Sequence, residues 1–222
     1  LAPYFAEGKL AEAKAAFDAG NYTQAVVLLD GQPETGPVRF LRALAAHRKG
    51  DWKFSAKEFE ALAEVYGPLR ERCLIHAGWG YEQLRDWQAA VRVFSLVGPT
   101  SRQTTDARIG LARAFRWLGD RKKAEESIAP YLERPAPAWG RDVGAEALLA
   151  MADLQAGRKD PKPEQAALLA LWSKHPLSKE AQKAEPRLGD LTLVPQDALV
   201  TRAEALIDAH RNAQGVAIVE PM

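Results

Sequence analysis

The chain has 222 residues, enough for one large domain or two small ones, and 47% of them are hydrophobic, too many for a disordered chain. Thirty Lys and Arg nearly cancel 29 Asp and Glu, and a net charge of +1 argues against a nucleic-acid or anionic-membrane binder. The single cysteine, Cys73, excludes an internal disulfide, and no apolar run approaches the roughly 20 residues of a transmembrane helix.

Taken from its start, the chain opens at Leu1 without a visible signal peptide, which leads us to expect a processed or trimmed piece of a longer product. The first clear element is a short phrase that recurs: a turn residue, Asn or Asp, and usually an aromatic. Its copies are Gly20-Asn21-Tyr22, Gly50-Asp51-Trp52, Arg85-Asp86-Trp87 and Gly119-Asp120-Arg121. The separations are 30, 35 and 34 residues. A fifth, looser copy begins at Gly157, where Arg158 to Pro163 lengthen the turn.

In each regular copy a small residue follows five positions after the first, at Ala25, Ser55, Ala90 and Ala124. A large apolar one follows nine positions after it, at Leu29, Phe59, Phe94 and Ile128. The chemistry is that of a helix end followed by a helix start. Glycine takes the left-handed conformation that closes the first helix. Asn or Asp accepts from the orphan N–H groups that open the second. The small and large residues then share one face of that second helix.

The first helix of each pair has its own stripe: Leu74, Ala77, Gly78, Tyr81 and Leu84, then Leu111, Ala112, Phe115 and Leu118. Pro68, Pro99 and Pro135 punctuate the ends of the second helices. From Gly20 to about Pro135 the chain resembles the tetratricopeptide repeat family, with Gly78, Tyr81, Ala90, Phe94 and Ala124 matching its small-large alternation. The resemblance implies an all-α fold, a right-handed solenoid of helix-turn-helix units with a period of about 34 residues.

Residues 136–222 are expected to continue the same solenoid as degenerate repeats, with residues 1–135 forming the regular part. Helices are expected over Asp142–Ala156 and Glu164–Lys174, with a short one over Ser178–Ala184. An extended connection is expected over Glu185–Pro195, then helices over Gln196–His210 and Asn212–Glu220. The last pair reads as unfinished, a further reason to expect a longer natural chain.

Within this third, Trp172-Ser173-Lys174-His175-Pro176-Leu177-Ser178-Lys179-Glu180-Ala181 and the helix Arg202–Asn212 resemble joints of the superhelical region of soluble lytic murein transglycosylases. That resemblance implies a periplasmic, peptidoglycan-positioning arm. The family's catalytic Glu-Ser has one formal counterpart, Glu126-Ser127, but no Gly-Leu-Met-Gln follows it. The pair is expected on an exposed helix surface.

No catalytic, cofactor or metal constellation emerges. His47, His76, His175 and His210 show no metal-ligand spacing, and Cys73 reads as a small buried hydrophobe. In a tetratricopeptide superhelix, first helices line the concave face. Helical phasing then assigns His47 and Arg48, Arg72, Trp79 and Gln83, Arg113, Arg116 and Trp117, and Met151 and Gln155 to that groove. Trp79, Arg113, Arg116 and Trp117 would be neighbours able to stack on a sugar and fork a carboxylate, or to anchor a peptide. The opposite reading, tryptophans in the core and arginines solvated, stays open.

The Lys and Asn clamp of chaperone-binding relatives is absent. Its positions hold Phe40 with Leu44, Ile75 with Trp79, and Ile109 with Arg113. The partners expected are therefore a protein, a peptide or peptidoglycan, in the periplasm or alternatively the cytoplasm, for a binding module or a freestanding envelope scaffold.

Overall fold

A computed structural model describes residues 7–220, so Leu1 and Met222, the ends on which the reading of a trimmed chain rests, lie outside the described residues. Among the described residues the fold is all-helical, with thirteen α-helices and no strand. The chain divides into two compact units, residues 1–118 and 119–222.

The first unit holds α1 (Gly8–Asp18), α2 (Tyr22–Leu29), α3 (Gly36–Lys49), α4 (Trp52–Val65), α5 (Arg70–Gln83), α6 (Trp87–Ser95) and α7 (Thr104–Trp117). Each helix packs on its neighbours in sequence, and α1 also meets α3 and α5 meets α7. The second holds α8 (Arg121–Ile128), α9 (Val143–Gln155), α10 (Lys162–Lys174), α11 (Lys179–Leu188), α12 (Gln196–Asp208) and α13 (Asn212–Val219). Here α9 packs on α8, α10 and α11, and α12 packs on α10 and α13.

The recurring phrase builds the turns as its chemistry requires. Gly20, Gly50, Gly119 and Gly157 all have φ between 74° and 86°, and Arg85 takes the same left-handed turn at 57°. The N–H groups of Asn21, Asp51 and Asp86 bond back to the carbonyls of Ala16, Ala46 and Tyr81, closing the preceding helix in the Schellman manner. Asp51, Asp86 and Asp120 accept through Oδ1 from the N–H groups of Phe54, Ala89 and Lys123, opening the next. Asn21 departs from expectation, because its side chain makes no cap bond.

The small and large positions are the core. Ala25, Ser55, Ala90 and Ala124 are buried completely, and so, to within 1%, are Leu29, Phe59, Phe94 and Ile128. The tightest crossing in the first unit is at Phe94. A Cβ on Gly78 would lie 2.7 Å from its Cδ1 and closer still to Cε1 and Cζ, and one on Gly110 would lie 2.9 Å from Cδ2. Glycines on α5 and α7 thus let the ring of α6 lie against both backbones.

Two expectations are corrected. The helix expected to end at Ala184 runs on to Leu188 with Pro186 inside it, and the rest of the supposed extended connection contains a 3-10 turn at Leu191–Leu193. Proline in the last turn forfeits a single backbone bond, so the helix survives it. Ser127, expected on an exposed surface, is buried, and its hydroxyl donates to the Lys123 carbonyl of its own helix at 2.7 Å, while Glu126 is exposed.

Candidate functional site

One face of α5 carries Arg72, His76, Trp79 and Gln83 at successive spacings of four, three and four residues, which places them on a single helical stripe. Beside it stands His47, from the last turn of α3. The imidazole of His76 is the hub. Its ring stacks on Phe59 at 4.8 Å between centroids and meets Trp79 edge-on at 5.2 Å, His47 at 5.9 Å and Phe40 at 6.1 Å. His47 in turn meets Trp52 edge-on at 4.8 Å. Five aromatic or imidazole partners therefore link three helices, α3, α4 and α5, into one patch.

The electrostatics of this patch are one-sided. Burial, then the neighbouring His47, Arg72 and Arg48, push the His76 imidazole down to about 3. Burial and Arg48 lower His47 as well. No carboxylate opposes these effects on either ring. Both histidines are thus neutral near pH 7, and His76 Nδ1 is buried without a hydrogen-bond partner. Arg48 and Arg72 are exposed, and neither forms an ion pair or hydrogen bond. An aromatic floor with two free guanidiniums at its rim suits a ligand that offers both an apolar or sugar face and a carboxylate.

Other residues assigned to the groove lie elsewhere. Arg113 is engaged by Glu82, a nearly buried carboxylate, through two bonds of 2.9 and 2.8 Å that tie α7 to α5. Trp117 is 60% exposed and stacks on Trp87 at 5.3 Å and 8°, with the Arg116 guanidinium 5.6 Å from its centroid. No ring contact joins Trp79 to Trp117, so the expected quartet resolves into a bonded arginine, a histidine-centred patch and a separate indole pair. Gln83 is exposed at the end of the α5 stripe.

Met151 and Gln155 belong to the second unit. Gln155 is buried, and its amide donates to Glu125 Oε1 at 2.8 Å and to Met151 Sδ at 3.4 Å, while its carbonyl accepts from Arg158. That network leaves the amide nothing to offer a ligand. Sequence reasoning missed His76 and Trp52. The signal for His76 was its register between Arg72 and Trp79.

No family model matches the chain, and no curated protein matches its sequence. Among the described residues no cluster of three or more His, Cys, Asp or Glu is placed to hold a metal ion, and no helix is long and apolar enough to cross a membrane.

Proposed function

We propose that this chain is a binding and positioning module, a right-handed solenoid of tetratricopeptide-like repeats whose docking face is the α3–α5 patch. The observation that carries the reading is the pairing of unopposed Arg48 and Arg72 with the rings of His47, His76 and Trp79. Such a face takes a ligand through contact area and charge and performs no chemistry on it. The repeat architecture is supported by the buried small and large positions after the four regular turns.

In its fuller form the module is the superhelical arm of a periplasmic lytic transglycosylase. It would hold peptidoglycan with a sugar over Trp79 and a carboxylate on Arg48 and Arg72. The second reading is a freestanding scaffold for a protein partner in an envelope assembly or secretion system.

Titrating the chain with soluble peptidoglycan fragments and with acidic peptides, read through tryptophan fluorescence, separates these readings. Fragments should bind, and Trp79→Ala and Arg72→Glu should each weaken binding at least tenfold. Binding of peptides alone would transfer the face to the scaffold reading. Indifference of both ligands to both substitutions would remove the face altogether.

A further inference from the structure

The stacked pair Trp87–Trp117 belongs to the first unit and is not used by the proposed docking face. Trp87 opens α6 and packs against the core, whereas Trp117 closes α7. Their rings lie within 8° of parallel, yet Trp117 is 60% exposed, so its second face is open. Leu84, the C-cap residue of α5, and Leu118, that of α7, flank the pair and are also exposed. An indole held on one side by a stack needs little ordering before a partner covers the other side. An aromatic anchor within an apolar patch is the usual centre of a protein interface.

Arg85, two residues before Trp87, is a second and independent observation. It takes φ 57° at the place in the turn where Gly20, Gly50 and Gly119 stand in the other copies. A side chain is disfavoured in that left-handed conformation, and glycine would close α5 at less cost. Among the described residues its guanidinium has no ion-pair or hydrogen-bond partner, so the turn itself does not account for an arginine there. Such a break with local preference points to a role outside the turn. Arg116, 5.6 Å from the centre of the Trp117 ring, likewise forms no ion pair or hydrogen bond. The carboxylates of these turns are already committed: Glu82 to Arg113, Asp86 to the Ala89 N–H that opens α6, and Asp120 to Lys123. The unspent charge beside the indoles is therefore positive.

We infer that the indole pair is a second docking surface, for a peptide segment of a partner protein that lays a large apolar side chain on the open face of Trp117 and brings a carboxylate to Arg85 and Arg116. A sugar also stacks on indole, but its rim of hydroxyls would meet Leu84 and Leu118, which offer no polar side chain. An apolar side chain gains from both leucines, and the two guanidiniums select an acidic neighbour. The surface stands apart from the α3–α5 face and does not rest on the function proposed for it.

The test is selection of a random dodecapeptide display library on the intact chain, followed by titration of the recovered peptides as synthetic copies. The selection should yield peptides that combine Leu, Phe or Trp with Asp or Glu, and Trp117→Ser should weaken their binding about tenfold. Their affinity should fall as salt is raised. Arg85→Gly is the sharper variant, because it should raise the urea midpoint while weakening the same peptides severalfold, a combination that a purely structural role for Arg85 would not produce. Recovery of no Trp117-dependent peptide, Trp117-dependent peptides without acidic residues, or undiminished binding by Arg85→Gly would each overturn the inference. So would a saturable fluorescence response to chitotetraose that is lost in Trp117→Ser, which would assign the surface to a sugar.

Discussion

Replacing Gly78 with alanine tests the packing at Phe94 most directly. In the interior of a free helix the change would stabilise by about 0.5–1 kcal/mol, because alanine has less backbone freedom to lose. Here the new methyl would lie 2.7 Å from Phe94 Cδ1 and nearer to two other ring carbons, well inside contact distance. The ring cannot retreat, since the backbone of Gly110 closes the other side. Overpacking of this kind costs about 1–3 kcal/mol, so set against that gain the expected balance is a net loss of about 1 kcal/mol.

Urea unfolding followed by tryptophan fluorescence should show a lower midpoint with an unchanged slope. In a Phe94→Leu background, where the shorter side chain vacates the contact, the same substitution should be neutral or stabilising. The two backgrounds form a double-mutant cycle whose coupling is the contact itself. Gly78→Ala raising stability equally in both would refute the packing argument.

Three further outcomes follow from features already described. Asp86→Ala removes an N-cap acceptor and should cost about 1 kcal/mol in the urea midpoint, whereas Asp86→Asn should retain most of it. The His76 ring, whose usual value is 6.5, sits at about 3 when folded, so the unfolded chain takes up the proton first. Its contribution is therefore complete above pH 6.5 and lost as the pH falls towards 3, at about 1.4 kcal/mol per pH unit. His76→Leu should flatten stability against pH in that window, and parallel curves would count against the buried neutral ring. Finally, Cys73 is fully buried, and burial pushes its thiol up to about 12. Its reaction with an aromatic disulfide reagent should therefore track unfolding in urea, and rapid reaction of the native chain would contradict this.

The turns were legible because their chemistry is local. A glycine, an aspartate and two apolar positions fixed in spacing specify a helix end, a helix start and a core contact without reference to distant residues. Two of the expected turns form without glycine. Arg85 stands where glycine would serve better, and His210 takes φ 59° with Arg211 bonding back to Leu206 although no glycine announces it. The longer α11 runs into the stretch expected to be extended, and Pro186, in its last turn, is only a missing donor.

The patch was legible as a stripe, since Arg72, Trp79 and Gln83 follow from phase alone. What phase cannot supply is the partner across the gap. Nothing in the sequence near Arg113 announces Glu82 on α5, and nothing near Gln155 announces Glu125 on α8. Those pairings decide which polar groups remain free for a ligand, and they exist only once helices far apart in sequence are packed.

The pattern of helix contacts has a consequence for how the protein is made. Within each unit, every substantial contact joins a helix to the next one or two elements along the chain or, for α12, to α10. Closing such contacts requires only short loops, whose entropic cost rises slowly with length and is met early. Each helix pair can therefore find its permanent neighbours soon after it leaves the ribosome, while the remainder is still unsynthesised. Apolar faces such as that of Phe94 would wait only until α7 has been made, a delay of about two dozen residues, roughly a few seconds of synthesis.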